Sequence, residues 1–236
     1  MNTYPPQSAA APAERVRRAW QRRHETDYIF DFWTAFGWTI LTCSIYGFYV
    51  FYQLMRRMRD HNRRRLELLE AANELAWEQA NGRGVAEELR PTFERIGANL
   101  AVLRGMTTNF RDPTIWMVLD IVAALVTAVG RYIVHIVGFV LLDGDLIGHD
   151  TAESQIEADL SAVYARLGHA VPPSDPGRVK GAHNYVGRII ASIFTIGIYG
   201  IWWWRDMMAD PNAHFEQNWV WEDGLADAVQ ALVGAV

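Results

Sequence analysis

The chain has one cysteine, Cys43, and one lysine, Lys180, among its 236 residues. A single thiol excludes an internal disulfide and any multi-cysteine zinc or iron–sulfur site. Cys43 lies among apolar neighbours with no adjacent base, so a packed, unreactive thiol is the expectation. The near absence of lysine beside abundant arginine and alanine fits a GC-rich bacterial genome, so individual arginines are not read as ligands. The N-terminus lacks the short apolar stretch and small-residue cleavage site of a secretory signal. Also missing are G-x-S-x-G, P-loop, G-x-G-x-x-G and H-E-x-x-H motifs, which removes the usual hydrolase, nucleotide and zinc-protease signatures. No enzyme activity, cofactor or metal is expected. A net charge of −5 argues against nucleic acid as a partner.

Hydrophobic residues are plentiful instead. They make up 50% of the chain, with ten tryptophans, yet the mean hydropathy is close to zero. Apolar membrane stretches must therefore alternate with soluble ones. Three stretches stand out, and each carries a small-x-Tyr break: Thr42-Cys-Ser44-Ile-Tyr46-Gly47, Thr127-Ala-Val-Gly130-Arg-Tyr132 and Thr195-Ile-Gly197-Ile-Tyr199-Gly200. The expected structural break comprises Ser44, Tyr46, Gly47, Gly130, Tyr132, Gly197, Tyr199 and Gly200, with the tyrosine hydroxyls meeting freed carbonyls. Asp60-His-Asn62, Asp143-Gly-Asp145 and Asp210-Pro-Asn212 follow the three breaks and read as chain-reversing helix stops.

The resulting plan is all-α, an integral membrane protein with amphipathic soluble helices between its apolar segments. A basic N-terminal arm covers 1–28, and the first apolar segment covers 29–60. A soluble helical hairpin follows over 61–112, then a second apolar segment over 113–142. Residues 143–184 form a loop, an amphipathic helix opened by Asp150 and Glu153, and a Pro-rich linker. The third apolar segment covers 185–209 and a C-terminal helix 210–236. Arginines flank the first segment on both sides, so a single crossing would leave one cluster outside, against the positive-inside tendency. Each segment is therefore either a kinked span or a re-entrant hairpin that turns at its break. The hairpin form must cover the polar backbone of its turn.

Two residue sets invite functional readings. Asp120, Thr127, Arg131 and His135 share one face of the second apolar segment, as intramembrane polar residues of a pathway or a packing surface would. On a straight helix Asp120 and Arg131 are about 16 Å apart, so they pair only if the helix folds back. Val85, Leu89, Phe93, Ile96, Leu100 and Leu103 form a clean apolar stripe with too little partner surface nearby, which predicts a homo-oligomer contact. Asp143-Gly-Asp145-Leu-Ile-Gly148 begins like a calcium loop but lacks its fifth and twelfth ligands. Asp143, Asp145 and His149 remain as a weak donor set.

The string T-I-G-I-Y-G-I-W-W-W, with Asp210-Pro-Asn212 after it, resembles the T-L-G-I-Y-G-x-Y-W pattern of a bacterial membrane-protein family known only as a domain of unknown function. Thr42 to Gly47 is similar to a second copy, departing from the pattern at Ser44. The resemblance implies a small integral membrane protein and brings no catalytic residues. The expected function is non-enzymatic: self-association or scaffolding in the bacterial cytoplasmic membrane, with the lipid bilayer, other copies of the chain, and other membrane or cytoplasmic proteins as partners. The alternative is an ion, proton or small-molecule channel or transporter using the polar face.

Overall fold

A computed structural model describes residues 11–175, 181 and 183–234. The first ten residues of the N-terminal arm, the end of the Pro-rich linker, Lys180 and the last two residues lie outside that range. The described residues form helices only: α1 (Pro12–Gln21), α2 (Arg23–Thr26), α3 (Phe32–Leu41), α4 (Ile45–Gly82), α5 (Ala86–Thr108), α6 (Pro113–Val126), α7 (Ala128–Arg166), α8 (Tyr185–Phe194) and α9 (Ile198–Gly234).

Three of these helices, α4, α7 and α9, are long, and each is preceded by a short apolar partner, α3, α6 or α8. The short helices all start at an Asx cap. Asp31 accepts from Thr34 N–H, Asp112 from Thr114 and Ile115 N–H, and Asn184 from Gly187 N–H. Each then reverses into its long partner. Ion pairs across the second and third pairs set their antiparallel register: Asp120 of α6 with Arg131 of α7, and Arg188 of α8 with Asp206 of α9 at 2.9 Å. The two ends of each apolar segment meet as well. Arg57 donates to the Tyr28 carbonyl at 3.1 Å, and Arg111 pairs with Asp145. All three apolar segments thus return to the end they left. Among the described residues only α7 is long and apolar enough to cross a membrane by length and composition.

Beyond the hairpins the long helices build two cores. The nearer one is rich in aromatic and methionine side chains, with Phe51, Met55, Met58, Phe139, Trp203, Met207 and Phe215. The farther one is aliphatic and joins the C-terminal halves of α4, α7 and α9 to α1 and α5. Here the structure corrects the expected oligomer contact. Leu89, Phe93, Ile96, Leu100 and Leu103 are buried within the chain and Val85 packs against the same core. The stripe is covered by both α4 and α7, and α7 supplies the partner surface that the weak stripe of α4 alone lacks.

The predicted helix stops are also corrected. Asp60-His-Asn62, Asp143-Gly-Asp145 and Asp210-Pro-Asn212 all lie inside continuous helices. Asp60 pairs with Arg56 and Arg59 of its own helix, while the others make tertiary contacts instead of capping: Asp143 with His183 and Tyr185, Asp145 with Arg111, and Asn212 with Phe30 and Arg57. Pro211 has no N–H for the Met207 carbonyl one turn back. Arg57 supplies the donor, reaching Met207 O at 2.8 Å and Met208 O at 3.1 Å, which lets α9 run through its proline. From residue 11 on, the basic N-terminal arm is part of the bundle, since Arg15 pairs with Glu74 and Arg23 with Asp223.

Candidate functional site

At the hairpin tips the first and third turns are built alike, atom for atom. Thr42 Oγ1 donates to Trp38 O at 2.7 Å and accepts from Tyr46 N–H at 2.9 Å. Thr195 Oγ1 donates to Ala191 O at 2.8 Å and accepts from Tyr199 N–H at 2.9 Å. Ser44 N–H bonds back to Thr39 O at 2.7 Å, and Gly197 N–H to Ser192 O at 2.8 Å. Every backbone N–H from Thr42 to Gly47 and from Thr195 to Gly200 has a partner. The threonine, rather than a tyrosine hydroxyl, satisfies the turn, and the tyrosine contributes its N–H. In the second hairpin the chain turns at Thr127, which is fully extended and accepts from Gly130 N–H at 2.8 Å. The reversal therefore precedes Gly130 and Tyr132, which sit in the first turns of α7. Tyr132 Oη is buried with no hydrogen-bond partner.

These tips are apolar and uncovered. Ile196 is 95% exposed, Phe194 84%, Leu125 82% and Leu41 75%. Cys43 is exposed at the first tip, so the expectation of a packed thiol is corrected. Two residues at each of the matching turns have left-handed backbones: Cys43 (φ 49°) with Ser44 (φ 72°), and Ile196 (φ 50°) with Gly197 (φ 88°). For an L-residue that conformation costs about 1–2 kcal/mol. Ile196 bears this cost at the point of greatest exposure, where asparagine or glycine would fit better.

The polar face of the second segment resolves into a clasp. Because α6 folds back on α7, Asp120 Oδ1 lies 3.3 Å from Arg131 Nε and 3.0 Å from His135 Nε2, and Asp120 is fully buried. Arg131 also lies over the Phe48 ring and reaches Ser44 O at 3.4 Å. His135 stacks on Phe51. Thr127 stands apart from this group, at the turn. The face therefore ties the second hairpin to the first.

Between the two cores lies a buried polar layer that sequence reading missed. Arg64 donates to Thr26, Asp27 and Glu222 at 2.9, 2.7 and 2.7 Å. Arg65 donates to Glu153, Glu157 and Glu222. Asp27 accepts from Thr26, Trp219, Arg64 and His61 Nδ1, the last at 3.0 Å. Burial opposes the charge on Asp27, but His61, Arg64 and Trp219 outweigh it and hold the carboxyl well below the usual range. Burial pushes His61 down to about 3 despite Asp27, and it lowers His214 as well. Both imidazoles are neutral.

Three histidines meet in this layer, one from each long helix. His214 Nε2 is 3.2 Å from His61 Nε2 and 3.4 Å from Glu153 Oε2. His149 Nε2 is 3.5 Å from Glu153 Oε1. Four donor atoms, from His61, His149, Glu153 and His214, lie within 4.8 Å of one another, and all four residues are buried. Asn218 donates to Glu153 at 2.9 Å and lies 3.1 Å from His214 Nε2. Asp143 and Asp145 are turned away to their own partners, so the set formed with His149 is Glu153, His61 and His214. A spacing of four between His149 and Glu153 was the one local signal. The other two members come from distant helices and share only their distance from the tips, nineteen residues after Thr42 and Thr195.

Residues 30–139, which hold the first two hairpins and α5, match a family model described as Domain of unknown function (DUF4234). The third hairpin, with the clearest copy of the threonine turn, lies outside the matched region. No curated protein and no solved structure matches the chain.

Proposed function

We propose that the chain is a non-enzymatic membrane protein of the bacterial cytoplasmic membrane, held in one leaflet by three re-entrant helical hairpins that scaffold a water-facing helical bundle. The observation that carries this reading is Ile196. Its left-handed backbone costs about 1–2 kcal/mol, and its side chain contacts water in the isolated chain. Burying an isoleucine in hydrocarbon returns about 1.5–3 kcal/mol, so the residue makes energetic sense only where lipid covers it. The arms agree in length. Helices of 10, 14 and 10 residues extend about 15–21 Å, against a hydrocarbon core of about 30 Å. They reach the middle and stop. The threonine turns meet the demand that no backbone N–H face lipid unsatisfied. Both arginine clusters of the first segment then lie on one side, in keeping with positive-inside bias.

Transport draws less support, because Asp120, Arg131 and His135 are engaged with one another and with the first hairpin. Single cysteines on a Cys43→Ala background test the topology. His24, Arg63, Asn109, Gly144 and Gln217 are all exposed, and a membrane-impermeant maleimide should reach all five from the cytoplasmic face only. Reaction of His24 and Arg63 replacements from opposite faces would refute the hairpin reading and establish a crossing first segment.

A further inference from the structure

We infer that His61, His149, Glu153 and His214 form a closed, four-coordinate site for one divalent cation of the zinc class. The four donor atoms all lie within 4.8 Å of one another, and the nearest approaches among them come close to the edge of a coordination tetrahedron. With metal–nitrogen and metal–oxygen bonds of about 2.0–2.2 Å, neighbouring ligand atoms stand about 3.3–3.6 Å apart. His214 Nε2 lies 3.2 Å from His61 Nε2 and 3.4 Å from Glu153 Oε2, and His149 Nε2 lies 3.5 Å from the other Glu153 oxygen, so the carboxylate faces both imidazoles.

Protonation points the same way. Asp27 accepts four hydrogen bonds, so it is ionised and His61 Nδ1 carries the proton. That leaves a lone pair on His61 Nε2. His214 Nδ1 faces the Asp150 carboxylate at 3.3 Å, and the Asn218 amide nitrogen, a donor only, lies 3.1 Å from His214 Nε2, so a second lone pair is on His214 Nε2. The two lone pairs face each other at 3.2 Å. Asn218 can donate to only one of them while it also holds Glu153. Each of these imidazoles has a carboxylate behind it, the arrangement that orients metal-bound histidines. His149 gives the independent evidence: it is fully buried, its Nδ1 has no hydrogen-bond partner, and its Nε2 makes only the long 3.5 Å approach to Glu153. A buried imidazole aimed at a carboxylate and two other imidazoles gains a partner once a cation stands among them. Five buried carboxylates, Asp27, Asp150, Glu153, Glu157 and Glu222, surround the histidines, with the cations Arg64 and Arg65 among them. A divalent ion brings this layer closer to neutrality.

Nitrogen-rich tetrahedral ligation with one carboxylate selects zinc-class ions over calcium or magnesium, which take oxygen. All four positions come from protein and all are buried, so the role is structural: the ion joins α4, α7 and α9 where the three hairpins leave the bundle. The inference is independent of the membrane reading.

The test is metal analysis of the full chain, purified in detergent without a polyhistidine tag from zinc-supplemented cells, together with melts in zinc and in chelator. About one zinc per chain is expected, lost in His149→Leu and His214→Leu, with the wild type melting lower after chelation. His149→Leu separates metal from packing. In a metal-free layer it removes a buried imidazole with one long contact, to a Glu153 that keeps Arg65 and Asn218, and should melt at or above wild type, whereas loss of a bound ion lowers the melt. Wild type free of stoichiometric metal, zinc retained by His149→Leu, or a His149→Leu melt no lower than wild type would each overturn the site.

Discussion

Gly197→Val and Ser44→Gly form a reciprocal test of the repeated turn. Both positions have left-handed backbones, at φ 88° and 72°, and they occupy equivalent places in turns with the same hydrogen bonds. A Cβ on Gly197 would meet nothing within 4 Å, so crowding adds nothing and the effect is conformational. An L-residue there costs about 1–2 kcal/mol, and a β-branched one belongs at the upper end. Gly197→Val should therefore destabilise the protein by about 2 kcal/mol. Ser44 already bears that strain, and glycine would relieve it at the expense of about 0.5–1 kcal/mol of chain entropy. Ser44→Gly should then be neutral or stabilising by up to about 1 kcal/mol. For a chain of this size, 1 kcal/mol moves Tm by about 2–4 °C, so thermal melts in detergent resolve the two directions. Gly197→Val melting with wild type, or Ser44→Gly melting several degrees lower, would refute the matched-turn account.

Arg57→Met should cost about 1–3 kcal/mol by leaving the Met207 carbonyl without a donor, and Pro211→Ala should recover part of it, because the new N–H can reach Met207; additivity in the double-mutant melt would sink this account. Phe93→Glu with Ile96→Glu should unfold the bundle, because both side chains lie in the intramolecular core. A folded double mutant of lower mass by light scattering would restore the oligomer contact. Cys43, at the first tip, should resist a membrane-impermeant maleimide from either side of sealed vesicles and react once detergent is added; labelling in intact vesicles would place that tip in water.

The positions of the first and third turns were legible because the motif is local, but the threonine that satisfies them was not singled out; a tyrosine hydroxyl was expected in its place. Thr42 and Thr195 sit four residues before the N–H groups they cap, and the T-x-x-I-Y-G spacing repeats that geometry in the chain. The second fold-back was conditional in the sequence, expected at Gly130 if Asp120 and Arg131 pair; the structure supplies that pairing but turns the chain at Thr127. The Asp-x-Asn/Asp strings misled because these residues cap helices and also make tertiary hydrogen bonds. Composition does not separate the two uses, and here Arg57, Arg111 and His183 on other elements decide. The oligomer stripe failed for a related reason. Its cover comes partly from the C-terminal half of α7, which the sequence reading cut away from the second apolar segment at Asp143. The polar layer was invisible because its members recur about one helical length from each tip on three separate helices, and no short-range spacing marks them.

That common distance explains the order of parts along α4, α7 and α9. His61 and His214 stand nineteen residues after Thr42 and Thr195, with sixteen helical steps from Ile45 and Ile198, a rise of about 24 Å, and the second copy sets His149 about one turn farther on. The tips have little tertiary packing of their own, so their depth and direction depend on how the long helices are held behind them. An aliphatic core alone tolerates small axial slips, since one apolar contact replaces another. A layer in which Arg64 and Arg65 each bind three partners from other parts of the fold does not, because a slip of one turn would strand buried charges at about 3–5 kcal/mol for each broken pair. The polar layer therefore sets the axial register of the three long helices, and through them the level at which all three hairpins end.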